Sequence, residues 1–493
     1  MKGMKFMKIK MITCMALCAT MILCSCTNNP SQGSKSKTKE TSNFTFESAQ
    51  VHDPSVIKVG DTFYVFGSHL ASAKTTDLMN WTQISSGVKN GNKLIPNVLT
   101  DMAESLEWSQ TDTFWAPDVR QLKDGKFYMY YCTCKGDSPL STLGVARSNN
   151  IEGPYKNLGI ILKSGMQDIS SETGRIYDAT EDPNVVDPNT FFDKEGKLWM
   201  VYGSYSGGIF ILKMNPDTGL PFPGQGYGKK ILGANHSRIE GPYILYNPET
   251  DYYYLFLSFG GLDTKGGYNI RVVRSKTPDG PYYDAKGNDM INCHGEAGTV
   301  FADTAIEPFG VKLMGGYQFT KAEEELGKVS TGYLSPGHNS ALRDDKTGKY
   351  FILFHTRFSS RGEYFEVRTH QMFFNSDGWP VIAPQRYTGE TIGKYSINDV
   401  AGDFKLINHG SDISAVMKES TSIKLNKNKT ISGSQTGTWD IIGDNKAELT
   451  IGKVTYKGVI LRQWDDDNKS YVITFSALSD KGISIWGSQV ARK

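Results

Sequence analysis

Three acidic residues stand where the chain turns into an apolar strand. They are Asp53 in "VHDPS", Asp187 in "VVDPNTFFD" and Glu240 in "RIEGPYI". A proline or glycine follows each, which marks a turn. One carboxylate in such a place ordinarily caps its turn. Three that converge have another use. Cleavage of a glycosidic bond needs one ionised carboxylate as base or nucleophile and one protonated carboxyl that gives its proton to the leaving oxygen. A third carboxylate nearby keeps the acid protonated, because a like charge raises a neighbour's pKa.

Convergence depends on the elements that carry the acids, and those elements repeat. "GDTFYVFGS" (60–68), "DGKFYMYYC" (124–132), "EGKLWMVYG" (195–203), "TDYYYLFLS" (250–258) and "TGKYFILFH" (347–355) are each a turn followed by an aromatic-rich strand. Tyr64, Tyr128, Trp199, Tyr254 and Phe351 hold equivalent places. A second strand closing on a turn follows each, most clearly "GVARSNNIEGPY" (144–155) and "RVVRSKTPDGPY" (271–282). Five copies in constant order predict an all-β, five-bladed β-propeller. No sustained 3.6-residue apolar period is present, so helix should be scarce. In a propeller the innermost strands line a central channel, and acids at their ends meet at one mouth. His338 in "SPGHNSAL" begins the fifth blade and completes this ring. After about residue 390 the aromatic strands give way to alternating strands with polar hairpin turns, which predicts a small C-terminal β-sandwich or barrel over 391–493. Trp439, Trp464 and Trp486 should fill its core.

The N-terminus reads as an export signal. Basic "MKGMKFMKIK" precedes a short apolar run ending in "LCSC". "LCSC" resembles a bacterial lipobox, which makes 1–25 a lipoprotein signal peptide and Cys26 the lipidated N-terminus. Residues 26–45 are a polar tether and 46–390 the propeller. The formal charge is +2, but Lys2, Lys5, Lys8 and Lys10 lie in the leader, so the chain from residue 26 carries −2. Such a balance gives no reason to expect a nucleic-acid partner. Membrane contact is expected only through the lipid, and the protein should be extracellular and monomeric. Of the seven cysteines, Cys132, Cys134 and Cys293 remain once the leader and Cys26 are set aside. They lack zinc-site spacing and read as buried free thiols.

"HDPS", "FWAPDV", "VVDPNTFFD", "IEGPYI" and "GHNSAL" occur in the order found in glycoside hydrolase family 43. The chain most resembles secreted endo-α-1,5-L-arabinanases with an extra C-terminal β domain, strongly over 47–390. The resemblance implies an inverting enzyme that cuts the α-1,5-arabinan of plant pectin internally. Asp53 would be the general base and Glu240 the general acid, with Asp187 tuning and orienting the acid. Inversion implies a base-to-acid separation of roughly 6.5–9.5 Å. "EDPNVVDPN" offers Asp182 as well as Asp187; Asp187 leads directly into the blade strand, as the family's residue does. The resemblance also implies a mostly water-coordinated calcium ion at His338. Position suggests Phe114 and Trp115 as sugar-stacking rings and Asn189 and Ser204 as partners for sugar hydroxyls. Asp118 should brace its turn, and His52 is assigned no chemistry.

Three rivals fit part of the pattern. An exo-acting arabinofuranosidase or xylosidase of the same family would share the acids and differ in groove shape, which 85–113 and 158–181 could set. A retaining fructan- or sucrose-cleaving propeller would place its nucleophile in the same first blade. A non-catalytic glycan-binding propeller would keep sugar binding without Glu240.

Overall fold

A computed structural model describes residues 44–165, 172, 174–328 and 330–491. The leader and Cys26 lie outside the described residues.

Five four-stranded antiparallel sheets follow one another along the chain, each with its strands in sequence order. Their innermost strands are Ser55–Val59, Trp115–Gln121, Asn189–Phe192, Ile239–Asn247 and Leu334–Arg343. The second strands, Thr62–Gly67, Phe127–Cys134, Leu198–Tyr202, Tyr252–Phe259 and Tyr350–Arg357, are the aromatic repeats. The hairpin between the two carries a left-handed residue in every blade, glycine in four and Asp251 in the fourth. Pro54, Pro117, Pro188, Pro242 and Pro336 stand at or just before the innermost strands. Proline has no N–H to give, and an edge strand facing a channel has no neighbour to receive one.

The blades adhere through apolar seams. Ile57 and Phe66 pack with Val119 and Met129 between blades one and two. Tyr130 and Val145 meet Met200 and Leu212 between blades two and three. Val201 and Ile211 meet Leu255 and Leu257 between blades three and four. Among the described residues no strand is exchanged to close the ring. Blade five meets blade one through Phe63, Val65, Phe351 and Leu353. The Val367 N–H donates to Ala49 O at 3.0 Å, and Lys58 Nζ reaches Asp344 Oδ1 at 2.5 Å across this seam.

The C-terminal part is a closed barrel of eight strands from Gly402–Asn408 to Ser484–Gln489, in which the first strand pairs with the last. Closure removes the sheet edges a sandwich would expose. The three tryptophans are buried but in different places. Trp439 lies in the barrel core. Trp486 packs with Tyr317, Ile352 and Phe354 of the propeller, so it fastens the barrel to the blades. Trp464 meets Phe44 and Tyr471 edge-on. Helix is confined to short turns such as Val98–Asp101 and Ala103–Trp108, within 85–113. Of 158–181, residues 166–171 and 173 lie outside the described residues.

Candidate active site

The blade entrances converge on a small central space lined by Asp53, Asp187, His338, Asn339 and the prolines of blades one to four. Asp53, Asp187, Gly241 and His338 all have left-handed backbones, with φ of 56°, 58°, 59° and 44°. The first three each precede a proline. Left-handed aspartate and histidine are uncommon and are sustained only where the surroundings hold them. In this alignment Glu240 is not equivalent to Asp53 and Asp187. Gly241 takes that place, and the acid comes from the residue before it. A Cβ at Gly241 would lie 3.2 Å from the His338 ring, so glycine is needed there for space as well as conformation.

Three of the entrances are held by the ninth residue of a repeat, near the end of the second strand. Ser68 Oγ accepts the Ala116 N–H of blade two at 2.9 Å. The Cys132 sulfhydryl instead donates to Trp115 O of its own blade at 3.3 Å. Ser258 Oγ accepts the His338 N–H of blade five at 2.7 Å. His355 Nδ1 accepts the Asp53 N–H of blade one at 3.1 Å. In blade three the ninth residue is Gly203 and has nothing to offer. There the Asp187 carboxylate takes over and accepts the Gly241 N–H of blade four at 3.2 Å. Blades one, three, four and five thus each secure the entrance of the next. Ser68, Ser258 and His355 stand in the repeats themselves, but that they reach across blades is not a local pattern.

Asp53 lies in a nest of imidazoles. Its Oδ2 is 2.8 Å from His52 Nδ1 and accepts from Ser68 Oγ at 2.5 Å, and its Oδ1 is 3.1 Å from His338 Nδ1. Burial pushes its pKa up, but His52 and His338 outweigh burial and hold it well below the usual carboxylate range. Burial keeps His355 neutral, which fits its Nδ1 acting as acceptor. His338 is lowered by burial but raised further by Asp53, Asp187 and Glu240, for a net upward shift.

Asp187 and Glu240 shift the other way. Burial raises Asp187 to about 7; His338 opposes, while Glu240 and Asp53 add to the rise. Burial also raises Glu240, against His338 and two hydrogen bonds, from Tyr268 OH to Oε1 and from Ser204 Oγ to Oε2, both 2.8 Å. Two buried carboxyls that repel each other retain a proton near neutrality. The site therefore pairs a base held ionised with a Glu240 carboxyl whose pKa is raised.

Other residues differ from their expected places. Phe114 is fully buried against Tyr131, so it is core and not a sugar platform. Trp115 is half-buried beside the mouth and remains available for stacking. Asn189 is buried and its Oδ1 accepts the Ile244 N–H at 2.9 Å, which makes it a brace between blades three and four. Ser204 serves the acid directly. Asp118 braces more than its turn: it accepts from Ser55 Oγ at 2.5 Å and from the Thr190 N–H at 2.8 Å, tying together blades one, two and three. Asp182 stays in the preceding loop, held by Arg175 at 2.6 Å. Cys132, Cys134 and Cys293 are buried free thiols. Tyr268, His355 and His52 are the site residues that the motifs did not disclose.

Residues 46–303 match the profile described as "Glycosyl hydrolases family 43", and 384–487 match a "C-terminal lipocalin-like domain". An extracellular endo-alpha-(1->5)-L-arabinanase 2 of Bacillus subtilis is 63% identical over 90% of this chain and 94% of its own length. An extracellular endo-alpha-(1->5)-L-arabinanase of Thermotoga petrophila is 51% identical over 90% of this chain and 95% of its own. Among solved structures, a family 43 glycoside hydrolase of Bacillus licheniformis superposes with a TM-score of 0.88 at 62% identity, covering 91% of this chain and 100% of that one. With its acids at the blade entrances and these relatives along nearly its whole length, the chain belongs to glycoside hydrolase family 43.

Proposed function

We propose that this chain is an extracellular, inverting endo-α-1,5-L-arabinanase. The observation that carries the reading is the opposite pKa shift of Asp53, held low, and Glu240, raised, at one channel mouth, in a chain so similar to relatives named endo-arabinanases. Ionised Asp53 takes a proton from a water molecule, which attacks the anomeric carbon of an arabinofuranose. Protonated Glu240 gives its proton to the departing oxygen as the glycosidic bond breaks. The hydroxyls of Tyr268 and Ser204 then stabilise the carboxylate that Glu240 becomes. Asp187 shares the acid's proton before the step and fixes the Gly241 backbone beside it.

The expected calcium ion belongs to this proposal. His338 and Asn339 both line the small central space, and Asn339 Oδ1 is buried with no hydrogen-bond partner among the described residues. One imidazole and one free amide oxygen suit a divalent ion that keeps most of its water. Its charge would favour the ionised form of Asp53. Lipidation at Cys26 and a monomeric state complete the reading. The first is supported by "LCSC" after an apolar run.

Incubation of residues 27–493 with debranched linear arabinan tests the reading, with viscosity and product sizes followed together. A fast viscosity drop with mixed short oligosaccharides, absent in Glu240→Ala, is expected. Slow thinning with arabinose as the sole product would move the enzyme to the exo class. No cleavage by the folded protein would overturn the substrate.

A further inference from the structure

Blade four carries a long excursion between its third and fourth strands, Asn269–Ser275 and Val311–Met314. Part of it rises to the mouth. Asn235 Nδ2 donates to Gly295 O and the Gly295 N–H donates to Ser237 Oγ, both at 2.9 Å. Arg238 Nε donates to Asp303 Oδ1 at 2.9 Å. Residues 235–238 lead directly into Glu240, so these bonds pin the excursion to the strand that bears the acid. At its crest are Val300 and Phe301, 62% and 51% exposed.

One exposed phenylalanine is ordinary on a protein surface. Phe301 differs in how it is held. Its backbone is left-handed, with φ of 56°, which is rare for a bulky aromatic. Its ring stands edge-on to Tyr205, with centroids 5.6 Å apart, and the Arg238 guanidinium lies 5.9 Å from it. Tyr205 follows Ser204, the donor to Glu240 Oε2. Tyr205 is buried, and the Glu240 charge helps to raise its pKa. Tyr205 thus links the half-exposed Phe301 ring, with Arg238 over it, to the surroundings of the acid. Trp115 stands at the same mouth, on blade two.

We propose that Phe301 is a stacking platform for an arabinofuranose unit of the substrate chain outside the cleavage site, on the Glu240 side of the mouth. The proposal rests on the arabinanase reading. A furanose ring presents C–H groups on its faces, and an exposed aromatic face at a fixed height receives them while the hydroxyls stay in water. A chain lying across the mouth would then be gripped beyond the bond it loses.

The test compares kcat/KM on linear arabino-oligosaccharides of three and seven units for the wild type, Phe301→Ala and Phe301→Trp, with thermal unfolding of each. Phe301→Ala should lose about three- to tenfold on the heptasaccharide relative to its loss on the trisaccharide. Phe301→Trp should restore most of the difference. Equal loss at both lengths, or none, would overturn the platform while leaving the arabinanase reading intact. A wild type that cleaves neither oligosaccharide would overturn both.

Discussion

The seam between blades five and one and the seam between blades three and four are built alike and do opposite things. Each ends at a left-handed residue before a proline, Asp53 in one and Gly241 in the other. Across the first seam the second strand of blade five supplies His355, which accepts the Asp53 N–H. Across the other it supplies Gly203, and a second carboxylate, Asp187, must accept the Gly241 N–H. His52 and His338 press Asp53 toward ionisation, whereas burial raises both Asp187 and Glu240 and the Glu240 charge raises Asp187 further. The fold sets where the acids stand, and the seam sets which of them keeps its proton.

The largest effects should come from removing either end of this pair. Asp53→Asn and Glu240→Gln are each expected to slow cleavage of linear arabinan by about 10²–10⁴-fold, with melting temperatures close to wild type. Loss of folding in either variant would instead make that carboxylate a structural group.

His355→Phe strikes the base through its support. The buried Asp53 N–H would lose its acceptor, at a cost of about 1–3 kcal/mol in urea unfolding. The base would shift, and activity should fall on the order of tenfold or more. Unchanged activity would mean that the Asp53 backbone is held by other contacts.

His338→Gln sharpens the comparison by charge alone. His338 depresses Asp53, so its removal raises the Asp53 pKa, and the acidic limb of kcat/KM should move to higher pH. A loss on the order of tenfold at pH 5, shrinking toward pH 8, is expected. A limb that stays in place would separate His338 from the base. The smallest effect belongs to Tyr268→Phe, which removes a donor that favours ionised Glu240. The alkaline limb should move to higher pH, and kcat should fall a few-fold, matching a hydrogen bond of about 1 kcal/mol.

Much of this was legible in the sequence, for identifiable reasons. The turn and aromatic strand of each blade are contiguous, so the five copies and the three acids at their entrances show in a linear reading. The seams do not, because no local pattern says that His355 reaches Asp53 or that Tyr268 reaches Glu240. The same blindness to burial placed Phe114 and Asn189 against sugar, when Phe114 is core and Asn189 ties two blades together. Barrel closure also depends on pairing between the first and last strands, Gly402–Asn408 and Ser484–Gln489, which are far apart in the chain.

The most direct test is the pH dependence of kcat/KM on linear arabinan for the wild type and Asp187→Asn. Loss of the neighbouring negative charge lowers the Glu240 pKa, so the alkaline limb should move to lower pH while the acidic limb, set by Asp53, moves much less. An alkaline limb that stays in place or moves upward would contradict the sharing of a proton between Asp187 and Glu240.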